Sequence, residues 1–97
     1  MIQSGVALFG YLNTRGWNLS TGSGHRTFQP PHIRFDRPFT TPPTIALSLA
    51  GIDSLHSANL RVELQLTNVE PDKCKITIIT WDNSILYQVW VNWIAYN

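Results

Sequence analysis

The 97-residue chain is 43% hydrophobic, 11% aromatic and 13% charged, with a formal net charge of +1; that length holds one core, so residues 1–97 form a single domain. Charge well below the roughly 25% usual in globular proteins leaves a surface wetted mainly by hydroxyls and amides, part of it suited to burial against other chains. The basic residues Arg15, Arg26, Arg34, Arg37, Arg61, Lys73 and Lys75 are scattered and do not form the basic face that nucleic-acid binding needs, and no apolar run approaches the ~18 residues of a membrane span.

The N-terminal stretch lacks a charged segment followed by a long apolar core, so no signal peptide is visible. A cytoplasmic chain, leaderless export and a mature secreted form with an added Met all remain open. Ile2–Phe9 reads as a strand in spite of Gly5. Gly10–Pro31 is rich in Gly, Ser, Thr, Asn and Pro without periodicity, and loops of about twenty residues in small domains are often functional. His32–Asp36 reads as a short strand, Thr44–Ala50 as a buried one after Pro42-Pro43, and Gly51–Ala58 as a second loop.

Asn59–Val69 alternates most clearly. Leu60, Val62, Leu64 and Leu66 fall on one face, and Arg61, Glu63, Gln65 and Thr67 on the other. Glu70-Pro71-Asp72-Lys73 makes a turn, Cys74–Trp81 a β-branched strand, and Asp82-Asn83-Ser84 the next turn. Ile85–Tyr96 places Tyr87, Val89, Val91 and Trp93 on one face, and Leu86, Gln88, Trp90, Asn92 and Ile94 on the other. Short connections between these last three strands predict an antiparallel meander. The whole pattern predicts an all-β chain, a six-stranded antiparallel β-sandwich.

Catalytic patterns are weak. His25, His32 and His56 lack metal-ligand spacing, and the one cysteine, Cys74, cannot complete a zinc set, so no metal and no cofactor is expected. There is no G-x-S-x-G elbow. Gly22-Ser23-Gly24 beside His25 imitates a nucleophile and base, but a flexible loop explains it better. The carboxylates fall in separate elements, whereas glycosidases hold a pair about 5–9 Å apart in a cleft. Cys74 reads as a free thiol on a strand, with an intermolecular bridge as the alternative.

Binding fits better. Antiparallel neighbours bring Arg61, at the start of its strand, towards Trp81, Asp82, Asn83 and Tyr87 around the turn that follows the next strand. Arg presents a planar fork of donors to adjacent hydroxyls, Asp82 accepts from hydroxyls, and an aromatic ring covers the apolar face of a pyranose. The plainer alternative is ordinary strand aromatics and a solvated arginine.

These residues also carry a resemblance. Gln3-Ser4-Gly5, Gly16-Trp17, Ile33-x-Phe35, Pro42-Pro43, Asn59-Leu60-Arg61-Val62, Thr80-Trp81-x-Asn83, Tyr87 and Trp93-Ile94 stand in an order and spacing that resemble the H-type lectins, the family of snail agglutinins and of the C-terminal domain of the slime-mould discoidins. The resemblance implies a trimer, sometimes paired into a hexamer. It also implies metal-independent binding of galactose or N-acetylgalactosamine in a site between protomers. Arg61, Trp81, Asp82 and Tyr87 would line that site. A neighbouring protomer's loop matching Gly22–His25 would complete it, drawing on Ser23, Gly24 and His25. The snail proteins have an Asp in that loop and His at the position of Asp82, so this chain lacks the loop acid, which Asp82 is placed to replace. The family's snail cysteines are missing too, with Phe9 in one of their places.

Two functions follow: a multivalent lectin acting in agglutination or cell adhesion, or a trimerising attachment domain of a larger assembly with altered or lost sugar binding. An esterase or glycosidase using His25 or Asp82 is the distant third. Glu63, Gln65, Gln88, Trp90 and Asn92 are the candidate subunit interface, low in charge and suited to a wet contact.

Overall fold

Runs of β-branched and aromatic residues alternating with small polar ones give a chain of strands with no helix. The computed structural model describes all 97 residues. The strands are β1 (Ile2–Gly10), β2 (Arg26–Phe28), β3 (Ile33–Arg34), β4 (Thr44–Ser54), β5 (Glu63–Val69), β6 (Lys73–Thr80) and β7 (Leu86–Tyr96). One sheet runs β1-β7-β4. In the other, β6 is central, with β5 along one side and the short β2 and β3 following each other along the opposite side. Every pairing is antiparallel.

The expected antiparallel sandwich is therefore present, with seven strands and not six. The additional one, β2, lies inside the stretch expected to be loop. Its three residues pair with Ile78–Thr80, a run too short for alternation to reveal.

The meander is corrected. β5 and β6 pair, but β6 and β7 belong to different sheets, so Trp81–Ile85 crosses between layers. Both strands are central in their sheets and apolar on the inner face. Ile76 and Ile78 of β6 and Val89 and Val91 of β7 bury these faces together in one core. Each such side chain contributes about 1.5–3 kcal/mol of burial, and lying side by side in one sheet would forfeit that contact. Phe9, Leu19, Ile33, Phe35 and Phe39 complete the core.

Other boundaries shift as well. β5 begins at Glu63, after the expected Asn59, and a bulge after Leu66 leaves that side chain exposed with Leu60, while Val62 and Leu64 pack on the core. β4 runs on to Ser54 through a bulge at Leu49/Gly51. A Cβ on Gly51 would stand 3.3 Å from the Trp90 ring, so glycine lets that indole lie across the strand. Leu86, expected on the outward side, is fully buried, because β7 shifts register against β4 there and Leu86 N donates to Leu19 O.

The candidate interface divides. Glu63 and Gln65 alternate with core-packed Leu64, so they face outward from the β5–β6 sheet. Gln88, Trp90 and Asn92 alternate with buried Val89, Val91 and Trp93, so they face outward from the opposite sheet. The two sets therefore lie on opposite outer faces of the protomer and do not form one continuous patch. Cys74 is free and fully buried, and burial pushes its thiol up to about 11. An intermolecular bridge through it would require opening the sandwich.

The molecule measures 45 × 20 × 19 Å. Its chain ends meet, with Met1 N donating to Asn97 O (3.3 Å) and Asn97 N to Met1 O (3.4 Å). β7 runs from the Asp82–Ser84 turn towards these ends, and its 11 residues separate the two poles by about 35 Å.

Candidate functional site

Arg61 lies two residues before β5, and the pairing of Glu63 with Ile79 carries it to the end of β6. Its main-chain oxygen accepts from Thr80 Oγ1 at 2.6 Å. Its guanidinium is mostly sheltered, with Nη1 donating to Asn83 Oδ1 (2.9 Å) and Ser84 Oγ (3.3 Å). Nη2 lies 3.6 Å from the Asp82 carboxylate, whose side chain is 67% exposed. Exposure makes that ion pair a weak contributor to stability, but it leaves carboxylate lone pairs facing solvent beside a fixed donor fork.

The β6–β7 connection is sharply bent. Asp82 has φ +58°, the left-handed region that Asp tolerates better than most residues. Ser84 N donates to Trp81 O (3.4 Å). Ser84 is buried, and its Oγ accepts from Arg61 and donates to Asn59 O. Trp81, which precedes this turn, is 40% exposed.

The Thr21–His25 loop docks on the same turn. Gly22 and Gly24 have φ +87° and +77°, and Gly24 N donates to Asp82 O at 2.9 Å. Arg26, the first residue of β2, fastens both segments. Nε donates to Gly24 O (3.0 Å), Nη1 to Thr21 O (2.9 Å), and Nη2 to Asp82 O (3.0 Å) and Ser84 O (2.8 Å). Ser23 and His25 stand exposed on this loop. Tyr87, half-buried on β7, packs edge-on against Tyr11 with ring centres 6.0 Å apart, and Tyr11 N donates to Tyr87 O (3.0 Å).

Of the residues singled out from the sequence, Arg61, Asp82 and Asn83 thus meet directly, and Gly24 joins them through its main chain. Trp81 flanks them in the turn. Tyr87 stands on the following strand, with Tyr11 as its ring partner, and Ser23 and His25 border the cluster. Sequence reasoning missed Arg26, Ser84 and Tyr11. For Arg26 there was one usable signal: an arginine beside glycines and hydroxyl residues with no nearby acid suits a staple of main-chain carbonyls. The arrangement is open to solvent, without an enclosed cavity. It offers donors, an acceptor and an aromatic plane within one turn, the equipment for holding a small polyhydroxylated ligand from one side.

Comparison with known proteins agrees in fold. A protein of Fuscovulum blasticum described as ATP synthase subunits region ORF 7 is 29% identical over 80 residues, covering 82% of this chain and 69% of the relative. Recombinant discoidin II of Dictyostelium discoideum has the same fold with a TM-score of 0.81 at 24% identity, over 98% of this chain and 36% of that one. The tailspike gp61 of Pseudomonas phage phi297 follows at TM-score 0.61 and 16% identity, over 98% of this chain and 15% of the tailspike. This chain therefore spans about a third of discoidin II and a smaller part of the tailspike. Residues 31–96 match the H-type lectin domain, a stretch that includes Arg61, Trp81–Ser84 and Tyr87 and excludes the Gly22–His25 loop. With more than half of its length in that match, the chain belongs to the H-type lectin domain family.

Proposed function

We propose that this protein is a carbohydrate-binding lectin that takes galactose- or N-acetylgalactosamine-type sugars without a metal ion and acts by binding, not turnover. The observation that carries this reading is the fixed pairing of the Arg61 fork with the exposed Asp82 carboxylate beside the Trp81 ring. Adjacent sugar hydroxyls fit a donor fork and a neighbouring acceptor, and the C–H face of a pyranose fits an indole. Tyr87 supplies a further aromatic edge. Asp82 takes the part of the acid that the Gly22–His25 loop lacks.

One shallow site binds weakly, and several on one rigid assembly gain about 10²–10⁴ in avidity. We assign the assembly, a trimer or a pair of trimers, to the outer face of the β1-β7-β4 sheet. There Ile2, Val6, Ile94 and Tyr96 are exposed, and the rows from Ile2–Tyr96–Thr44 to Val6–Asn92–Ser48 contain no charge, so a second copy buries no unpaired ion. Contact continuing along β7 towards the Asp82–Ser84 turn would bring a neighbour's Gly22–His25 loop to the site and complete it between protomers.

A glycan array tests the reading. The wild-type chain should bind terminal galactose or N-acetylgalactosamine and be displaced by the free sugars. Arg61→Ala, with the oligomer intact by light scattering, should lose about 100-fold, the equivalent of one or two charge-assisted hydrogen bonds. A variant that binds as well as wild type removes Arg61 from the site. The acid-free loop and the fold shared with part of a phage tailspike favour a second reading, an attachment domain of a larger assembly that binds no simple sugar. Titration calorimetry showing no heat with either sugar at millimolar concentration would select it.

A further inference from the structure

Arg26 stands outside the ligand-facing set, yet its side chain donates four hydrogen bonds within the site. The one ion pair in the protein is Arg61–Asp82, and the Arg26 guanidinium is spent on main-chain oxygens of Thr21, Gly24, Asp82 and Ser84. Two of these acceptors lie in the loop and two in the turn, about sixty residues away in sequence. Nη2 alone bridges Asp82 O and Ser84 O, closing the turn across Asn83. The sequence makes room for this: a Cβ on Gly22 would stand 3.2 Å from Arg26 Cδ.

What the clamp holds is a strained backbone. Asp82 at φ +58° occupies a region that residues with a Cβ enter at a cost and keep only where surrounding bonds fix them. Its carbonyl receives Gly24 N and Arg26 Nη2 together, which fixes the peptide plane that follows it. A turn free to relax to right-handed φ would swing the carboxylate away from Arg61. We infer that Arg26 is a positioning residue of the sugar site: by tying the Thr21–Gly24 loop to the Asp82–Ser84 turn, it holds the Asp82 carboxylate beside Arg61. The inference rests on the lectin reading of that site.

The test is a cycle on the full chain, read on a multivalent N-acetylgalactosamine surface where weak binders still register. Arg26→Gln should weaken binding about tenfold, the scale of one lost charged hydrogen bond. It should also speed amide exchange at Gly24 while Val91 in β7 keeps its protection. In an Asp82→Gly background, where a left-handed backbone needs no holding, the same substitution should cost less than about twofold, because effects through one shared group are not additive. Equal losses in both backgrounds, or unchanged exchange at Gly24, would overturn the role. A wild-type chain that binds no sugar overturns the lectin reading and the positioning role with it. Gly24 exchange still reports in that case whether the clamp exists, so the two failures are told apart.

Discussion

Gly5 lies under the indole of Trp93, its partner across β1 and β7. A Cβ there would come within 2.8 Å of the ring. Trp93 is buried in the core, so the ring has little room to retreat, and Gly5→Ala should destabilise by about 1–3 kcal/mol through overpacking. In a domain of this size that lowers Tm by roughly 5–20 °C, measurable by thermal denaturation; an unchanged Tm would mean that the indole repacks freely. At this scale the sequence was legible in part. Arg61 and Asp82 were readable because strand alternation puts Arg61 on a polar face and the turn places Asp82 at the next strand's end. Arg26 and Ser84 were harder to read: Arg26 works on main-chain oxygens, for which its glycine- and hydroxyl-rich neighbourhood is the one hint, and Ser84 is buried in the turn. The glycine in β1 looked like a flaw in a strand and proves to be the space for a tryptophan of β7, at the other end of the chain.

Strands rather than single residues carry the proposed contact between copies. β7 is the central strand of its sheet and turns Trp90, Asn92, Ile94 and Tyr96 outward between small neighbours such as Ser4, Ala46 and Ser48. Such a surface is flat and uncharged, whereas the opposite sheet exposes Glu63 and Arg34. Val6→Lys puts a cation on the uncharged face, where burial without a partner is costly. The variant should sediment as a monomer while keeping its far-ultraviolet dichroism, and it should lose avidity on the glycan array; an unchanged mass would move the interface elsewhere. The long strands were legible from their period. Which sheet each one joins was not, because alternation reports a buried face and says nothing of whether the neighbour lies beside the strand or across the core. The short β2 and β3 are held by pairing with β6 and have too few residues to show a pattern of their own.

Across the whole molecule, the poles differ in what they carry. One carries the Arg61 cluster, the Thr21–His25 loop and the β6–β7 crossing; the other carries both chain ends, about 35 Å away along β7. A longer polypeptide attached at either end would leave the cluster at the far tip, unobstructed. The same meeting of the ends, through the paired bonds of Met1 and Asn97, makes the backbone a nearly closed ring. A short Gly-Ser bridge across it, with new ends opened between the exposed Thr40 and Thr41, should give a circular permutant that folds to the same sandwich, as expected for a cut at an exposed bend. Melting within a few degrees of the parent and the same glycan profile would be the outcome; a molten or aggregated product would show that strand order along the chain is needed for folding. Such a result would mean that the fold is specified by who pairs with whom around the ring, with the place of the cut free to change.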